Sequence, residues 1–151
     1  RKVVDFSDPY WEVSRVFLVP ADSKLTPADI LSKPIKLGVQ RGTSEAEAIK
    51  QEQKEKGYPF ELRFYESCPL AVEDLVNGRI EAALMDPLPA GDAIARGKAV
   101  KKAGVHGEPD QFGVAIRKGD KELRALIDEG FRKLQADPYW KELQAKYLGN
   151  K

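Results

Sequence analysis

The chain of 151 residues is poor in metal- and redox-active side chains, with one cysteine and one histidine. The lone Cys68 excludes an internal disulfide and a thiolate zinc cluster. His106 has no second histidine and no carboxylate at metal-ligand spacing, so it reads as a surface turn residue and no metal is expected. A basic excess is missing too. The 25 Lys and Arg stand against 24 Asp and Glu, a formal net charge of +1, which argues against a nucleic-acid footprint. No apolar run approaches the ~20 residues that span a bilayer. There is no initiating methionine and no signal peptide. The chain opens on Arg1-Lys2-Val3-Val4, already inside an apolar segment, which reads as a processed or truncated piece. No internal repeat or low-complexity stretch appears.

What is present is 42% hydrophobic residues, enough for one globular unit or two small lobes. Residues 3–6 and 14–20 are extended candidates separated by Ser7-Asp8-Pro9. Thr26-Pro27 opens a short helix that Pro34 closes. A strand over Ile35–Gln40 leads into a helix that Ser44 and Glu47 would start as a capping box and Gly57 would end. That helix has few apolar positions, which puts it on the surface with Glu52 and Lys56 as an i,i+4 pair. Phe60–Phe64 alternates with period two, as a half-buried strand does. Pro69 to Asn77-Gly78 reads as a helix, Ile80–Met85 as a buried strand, and Asp86-Pro87 starts a helix that stops at Gly97. Gln111–Lys118 is expected to be one long strand. Leu123, Leu126, Ile127, Phe131 and Leu134 mark an amphipathic helix face. Pro138 breaks it, and Trp140, Leu143 and Tyr147 mark a last helix capped by Gly149.

Strands alternating with helices between residues 35 and 100 predict α/β units with a parallel sheet. In such sheets ligands sit at the carboxyl ends of the strands. Gly42-Thr43-Ser44 follows one strand end, Glu66-Ser67-Cys68 a second and Asp86 a third. A glycine and two hydroxyl residues at a helix start direct free N–H groups and the positive end of the helix dipole to one spot, a seat for a small anion. Asp86 on the same rim would answer a cation, so the pair suggests a zwitterion. The alternatives are structural. Thr43, Ser44 and Asp86 are all good N-caps, and Arg41 is either a source of positive potential or a solvated turn residue. Cys68 reads as a helix-entry residue, because a nucleophile would need a nearby base and His106 is the only histidine. Tyr10 and Trp11 either face a cleft or pack a hinge, with packing favoured.

In order along the chain, Val4-Asp5-Phe6-Ser7-Asp8-Pro9-Tyr10, Gly38–Ser44, Leu75-Val76-Asn77-Gly78-Arg79-Ile80-Glu81-Ala82, Asp86, Phe112–Asp120 and Lys146-Tyr147-Leu148-Gly149 resemble the type II periplasmic binding proteins. The likeness is to the family 3 extracellular solute-binding proteins of polar amino-acid ABC transporters, and it covers essentially the whole chain. It implies two α/β lobes joined by two crossover strands. Residues 16–108 would form the second lobe, and residues 1–15 with 109–151 would be a remnant of the first, most of which would precede Val3. It also implies that Thr43 and Ser44 hold a ligand α-carboxylate through hydroxyl and N–H groups and that Asp86 holds the α-ammonium; Gly42 and, more weakly, Arg41 join this candidate ligand-binding site from the residue pattern itself. Arg1 lies about one residue from the place where relatives carry a carboxylate-clamping arginine.

The function so implied is capture of an amino acid outside the cytoplasm, periplasmic or as a membrane-anchored lipoprotein, for delivery to an ABC permease, with no enzymatic step and no cofactor. Two alternatives share the fold. A sensor domain of a membrane receptor kinase would use the same seat. A cyclohexadienyl dehydratase would carry a glutamate shortly after Asp86, where this chain has Pro87, Leu88, Pro89 and Ala90. The C-terminal helices, lacking the sheet they would cover, are expected to pack on the remaining lobe, on a second copy or on a separate N-terminal fragment.

Overall fold

The computed structural model describes residues 3–148. Arg1 and Gly149 lie outside the described residues, as does the side chain of Tyr147. The elements run β1 (Val4–Phe6), β2 (Trp11–Pro20), α1 (Pro27–Ser32), β3 (Lys36–Gln40), α2 (Ser44–Lys56), β4 (Glu61–Tyr65), α3 (Cys68–Val76), β5 (Ala82–Met85), α4 (Pro87–Ala95), β6 (Val100–Phe112), β7 (Ala115–Arg117), α5 (Lys121–Ala136) and α6 (Pro138–Leu148). They form two compact units, Ser14–Glu108 and Arg1–Val13 with Pro109–Lys151. The long strands β2 and β6 each run through a boundary between them.

The unit Ser14–Glu108 is built on a sheet of order β4-β3-β5-β2-β6. Strands β3, β4 and β5 are mutually parallel around β3, and β2 runs antiparallel to β5. Successive strand residues point to opposite faces, and β2 shows why the sequence needs two covering layers. Val16 and Leu18 join one buried cluster with Ala71, Val72 and Leu75 of α3 and Ala90 and Ala93 of α4. Phe17 and Val19 join the other with Ile30 of α1, Ala46 and Ile49 of α2, and Leu37 and Val39 of β3. A run apolar at every position is the signature of a strand buried on both faces. The edge strand β4 behaves differently, with Phe60 just before it buried and Phe64 exposed, because no further strand covers its outer side.

Three expectations are corrected here. Thr43, not Ser44, is the N-cap of α2. Gly42 turns the chain at φ 76°, Thr43 is extended, and its side chain accepts from the Ala46 N–H. The single strand expected over Gln111–Lys118 is broken at Gly113-Val114, because the chain changes partners there. Val114 exchanges hydrogen bonds with Ser7, N–H to Oγ and carbonyl to N–H, and β7 pairs antiparallel with β1. Residues 100–110 belong to β6, a stretch that polar Lys101, Lys102 and His106 hid from a hydrophobic-pattern reading. His106 is therefore no surface turn residue. It is 8% exposed, its ring lies 5.1 Å from that of Phe17, and its Nε2 is 2.7 Å from Glu52 Oε2.

That pair fastens α2 to β6. Burial pushes the Glu52 carboxyl upward, but hydrogen bonds from Lys56 and His106 outweigh it and hold the group below its ordinary value of 4.5. A carboxyl held low stabilises the fold above that ordinary value and loses the contribution as pH falls through its folded pKa.

In the other unit the aromatic residues pack on each other. Tyr10 stacks on Phe131 at 4.3 Å, and Trp11 meets Trp140 edge-on at 6.0 Å. Helix α5 has no buried residue: of its apolar stripe Leu123 and Leu126 are exposed, and Ile127, Phe131 and Leu134 are half-buried.

Two stability outcomes are expected in chemical denaturation. Phe17→Ala should lower the unfolding free energy by about 3–5 kcal/mol, the range for removing a fully buried aromatic ring, while exposed Leu88→Ala should change it by less than about 0.5 kcal/mol. Glu52→Gln should cost about 1–3 kcal/mol at pH 7 by breaking a buried charge-assisted bond. That difference should shrink as the pH is taken below 4.5; a difference independent of pH would contradict the assignment.

Candidate functional site

The parallel register aligns three strand ends. Gln40 of β3 lies opposite Tyr65 of β4, and Val39 opposite Leu84 of β5, so the carboxyl ends of all three open on one rim. Each end leads at once into a helix, α2 after Gly42-Thr43, α3 after Glu66-Ser67 and α4 after Asp86. Helices start there because each junction supplies a residue of extended geometry, Thr43, Ser67 and Asp86, followed at α3 and α4 by a proline in the first turn. Prolines at 69 and 87 cost nothing at that point, since first-turn N–H groups lack an intrahelical acceptor.

The Thr43 hydroxyl is fully engaged, donating to the Gln40 carbonyl at 2.9 Å and accepting from the Ala46 N–H at 3.2 Å. Its single hydrogen could reach a ligand only by leaving Gln40. The Ser44 hydroxyl donates to Glu45 Oε2 at 3.2 Å. The N–H groups of Ser44 and Glu45, in the first turn ahead of the capped Ala46, have no intrahelical acceptor and lie at the positive end of the α2 dipole. Asp86 occupies the N-cap position of α4, but its side chain makes no capping hydrogen bond. The structural alternative, Asp86 as a side-chain cap, is thus absent, while its position at the end of β5 is retained. Arg41 sits at the β4 side, its N–H bonded to the Tyr65 carbonyl, its Nε 3.0 Å from Glu66 Oε1 and its guanidinium 5.8 Å from the Phe64 ring.

Gln40, Glu45, Glu66 and Cys68 complete the rim. Alternation in β3 puts Leu37 and Val39 on the α2 face and so turns Gln40 toward α3. Cys68, the first residue of α3, donates its thiol to Gln40 Oε1 at 3.1 Å, and Gln40 Nε2 reaches the Glu66 carbonyl at 3.4 Å. Period-two reading of Ile35–Gln40 held the signal for Gln40. Glu45 escaped notice because a cap placed at Ser44 shifts the helix phase by one residue; the side chain is buried, with 9% exposure. Burial pushes the Cys68 thiol upward from its ordinary 9.0, and the charges of Glu45 and Asp86 push it further the same way. Among the described residues no group of three or more His, Cys, Asp or Glu could hold a metal ion.

Because the Asp86 charge adds to that push on the thiol, Asp86→Asn should lower the pH midpoint of Cys68 alkylation by iodoacetamide, whereas Asp92→Asn on the outer part of α4 should leave it in place. An unchanged midpoint in Asp86→Asn would remove Asp86 from the neighbourhood of Cys68.

Residues 1–150 match the family described as bacterial extracellular solute-binding proteins, family 3. The chain is 29% identical over 153 residues to a probable histidine-binding protein of Neisseria gonorrhoeae, covering 98% of this chain and 56% of that protein. It is 32% identical over 154 residues to the L-cystine-binding protein TcyJ of Escherichia coli strain K12, covering 99% and 55%. Among solved structures, an ancestral cationic amino acid solute-binding protein superposes with a TM-score of 0.79 at 30% identity, covering 97% of this chain and 63% of that one. The chain therefore spans a little over half the length of the curated relatives it matches. With its fold, its ordered motifs and a family match over nearly every residue, the chain belongs to the family 3 bacterial extracellular solute-binding proteins.

Proposed function

We propose that this chain provides one wall of an amino-acid receptor that works outside the cytoplasm and delivers its ligand to an ABC-type permease, without catalysing a reaction. The observation that carries this reading is the parallel register of β3, β4 and β5, which gathers the first turn of α2 and the carboxylate of Asp86 on one rim. The N–H groups of Ser44 and Glu45 at the α2 terminus seat the ligand α-carboxylate. Gly42 makes that approach possible, because its φ of 76° lets the chain turn sharply between strand and helix. Asp86 accepts from the α-ammonium. Thr43 serves by holding the turn, its hydroxyl bridging Gln40 and Ala46. Arg41, tied to Glu66, adds positive potential at the margin.

The division into two units supports a receptor of two lobes, with β2 and β6 as the strands between them. The family and the names of the relatives support amino-acid capture and a site of action beyond the cytoplasmic membrane. A binding role also agrees with the chemistry of the rim. The only thiol is held protonated, the only histidine is buried against Phe17 and Glu52, and the residues after Asp86 are apolar.

Nitrogen-15 NMR of the chain titrated with millimolar L-amino acids tests the seat. Ligand should move the Gly42–Ala46 amides first, and Asp86→Ala should weaken the response by about 2–5 kcal/mol, the cost of removing one partner of a desolvated charge pair. Movement confined to amides elsewhere, or an undiminished response in Asp86→Ala, would refute the assignment.

A further inference from the structure

We infer that the β4 edge of the sheet pairs with β4 of a second copy of this chain, antiparallel and about a two-fold axis at Leu62. The pairing is independent of the amino-acid seat. Among the described residues the sheet order β4-β3-β5-β2-β6 leaves β4 and β6 at the edges. A sheet edge presents unpaired backbone groups, and proteins blunt it with lysine, proline and local kinks. The β6 edge carries such devices in Lys101, Lys102, Pro109 and Gly107, the last at φ 74°. None of those residue types occurs in β4. Glu61 and Tyr65 turn their backbone groups to β3. The Glu61 N–H donates to the Ile35 carbonyl at 2.7 Å, and the Tyr65 carbonyl accepts from the Arg41 N–H at 2.8 Å. Alternation along the strand therefore turns the N–H and carbonyl groups of Leu62 and Phe64 outward.

The stretch Phe60-Glu61-Leu62-Arg63-Phe64 is its own complement when read antiparallel about Leu62. Leu62 then meets Leu62 of the second copy, Glu61 meets Arg63, and Phe60 meets Phe64. The outward backbone groups of Leu62 and Phe64 make the hydrogen-bonded pairs. Glu61 and Arg63 fall in the non-hydrogen-bonded pairs, where opposed side chains are closest. Both are free to turn across the edge. They bridge each other within one strand at 2.8 Å, with side chains 58% and 49% exposed, and a surface bridge of that kind is worth little. On the opposite face, exposed Phe64 and half-buried Leu62 gain cover. The Phe60 carbonyl accepts from Gln53 Nε2 and keeps a second lone pair for the copy. The charges also fix the register. Moving the axis to Arg63 sets two guanidinium groups opposite each other, and moving it to Glu61 sets two carboxylates opposite, both unfavourable cross-strand pairs. An isologous contact of this kind closes at the dimer.

A pairing of two five-residue strands is small beside the ~1,200–2,000 Å² of stable interfaces, so a dissociation constant of about 10 μM to 1 mM is expected. Sedimentation velocity over that range of chain concentration should show monomer passing to dimer. Hydrogen exchange of the Leu62 and Phe64 amides should slow over the same range. Arg63→Glu and Glu61→Arg should each stay monomeric, because each sets like charges opposite one another. An equal mixture of the two variants should recover the dimer, since each supplies the charge that the other lacks. The double variant Glu61→Arg/Arg63→Glu should recover it too. Recovery in the mixture also establishes that both single variants are folded. A parent chain that stays monomeric at about 1 mM, a dimer that persists in either single variant, or a mixture that stays monomeric would overturn the pairing.

Discussion

Everything at the rim depends on the parallel pairing of β3 with β4 on one side and β5 on the other. Parallel neighbours end on the same side of the sheet, and each must be followed by a crossover, here a helix. Register does the rest. With Gln40 opposite Tyr65 and Val39 opposite Leu84, three chain reversals fall side by side, and three helix N-termini face one space. The pairing is held in turn by burial on both faces. A shift of one residue in β3 would move Leu37 and Val39 from the α2 layer to the α3 layer and break both clusters.

Within that frame the side chains at the strand ends divide into those that hold the turns and those that shape the field. Thr43 belongs to the first kind, its hydroxyl engaged at both ends. Gln40 and Cys68 bond across the gap between β3 and α3. Glu45 and Asp86 belong to the second kind, and Arg41 is held at the margin by Glu66 and Phe64. Away from the rim, the contact of Glu52 with His106 joins the third turn of α2 to β6. Helix α2 is thereby anchored at its third turn to β6, while its first turn lies on the rim.

The balance of burial differs between the two units. The unit Ser14–Glu108 holds nearly all of the fully buried apolar side chains, from Val16 to Val100, whereas in the other Ile116 is the one buried large hydrophobe among the described residues. Stacking of Tyr10 on Phe131 and of Trp11 against Trp140 organises the second unit around aromatic pairs, not a closed core. The half-buried stripe on α5 is the counterpart of that thin core.

Much of this was readable in the sequence because it is local. Pro27, Pro69, Pro87 and Pro138 mark helix starts through the geometry of the ring itself. The unbroken apolar run Val16–Val19 is a strand buried on two sides, and the Gly42 turn announces a strand end. What the sequence left open needed partners distant along the chain. The polar residues of β6 become a strand only because β2 lies beside them, and His106 is buried only because Phe17 and Glu52 meet it there. The choice of Thr43 over Ser44 as the cap depends on a turn angle that no residue pattern expresses. Glu45 and Asp86 share a rim because residues 41 positions apart sit at the ends of neighbouring parallel strands, a consequence of sheet register that only the tertiary structure decides.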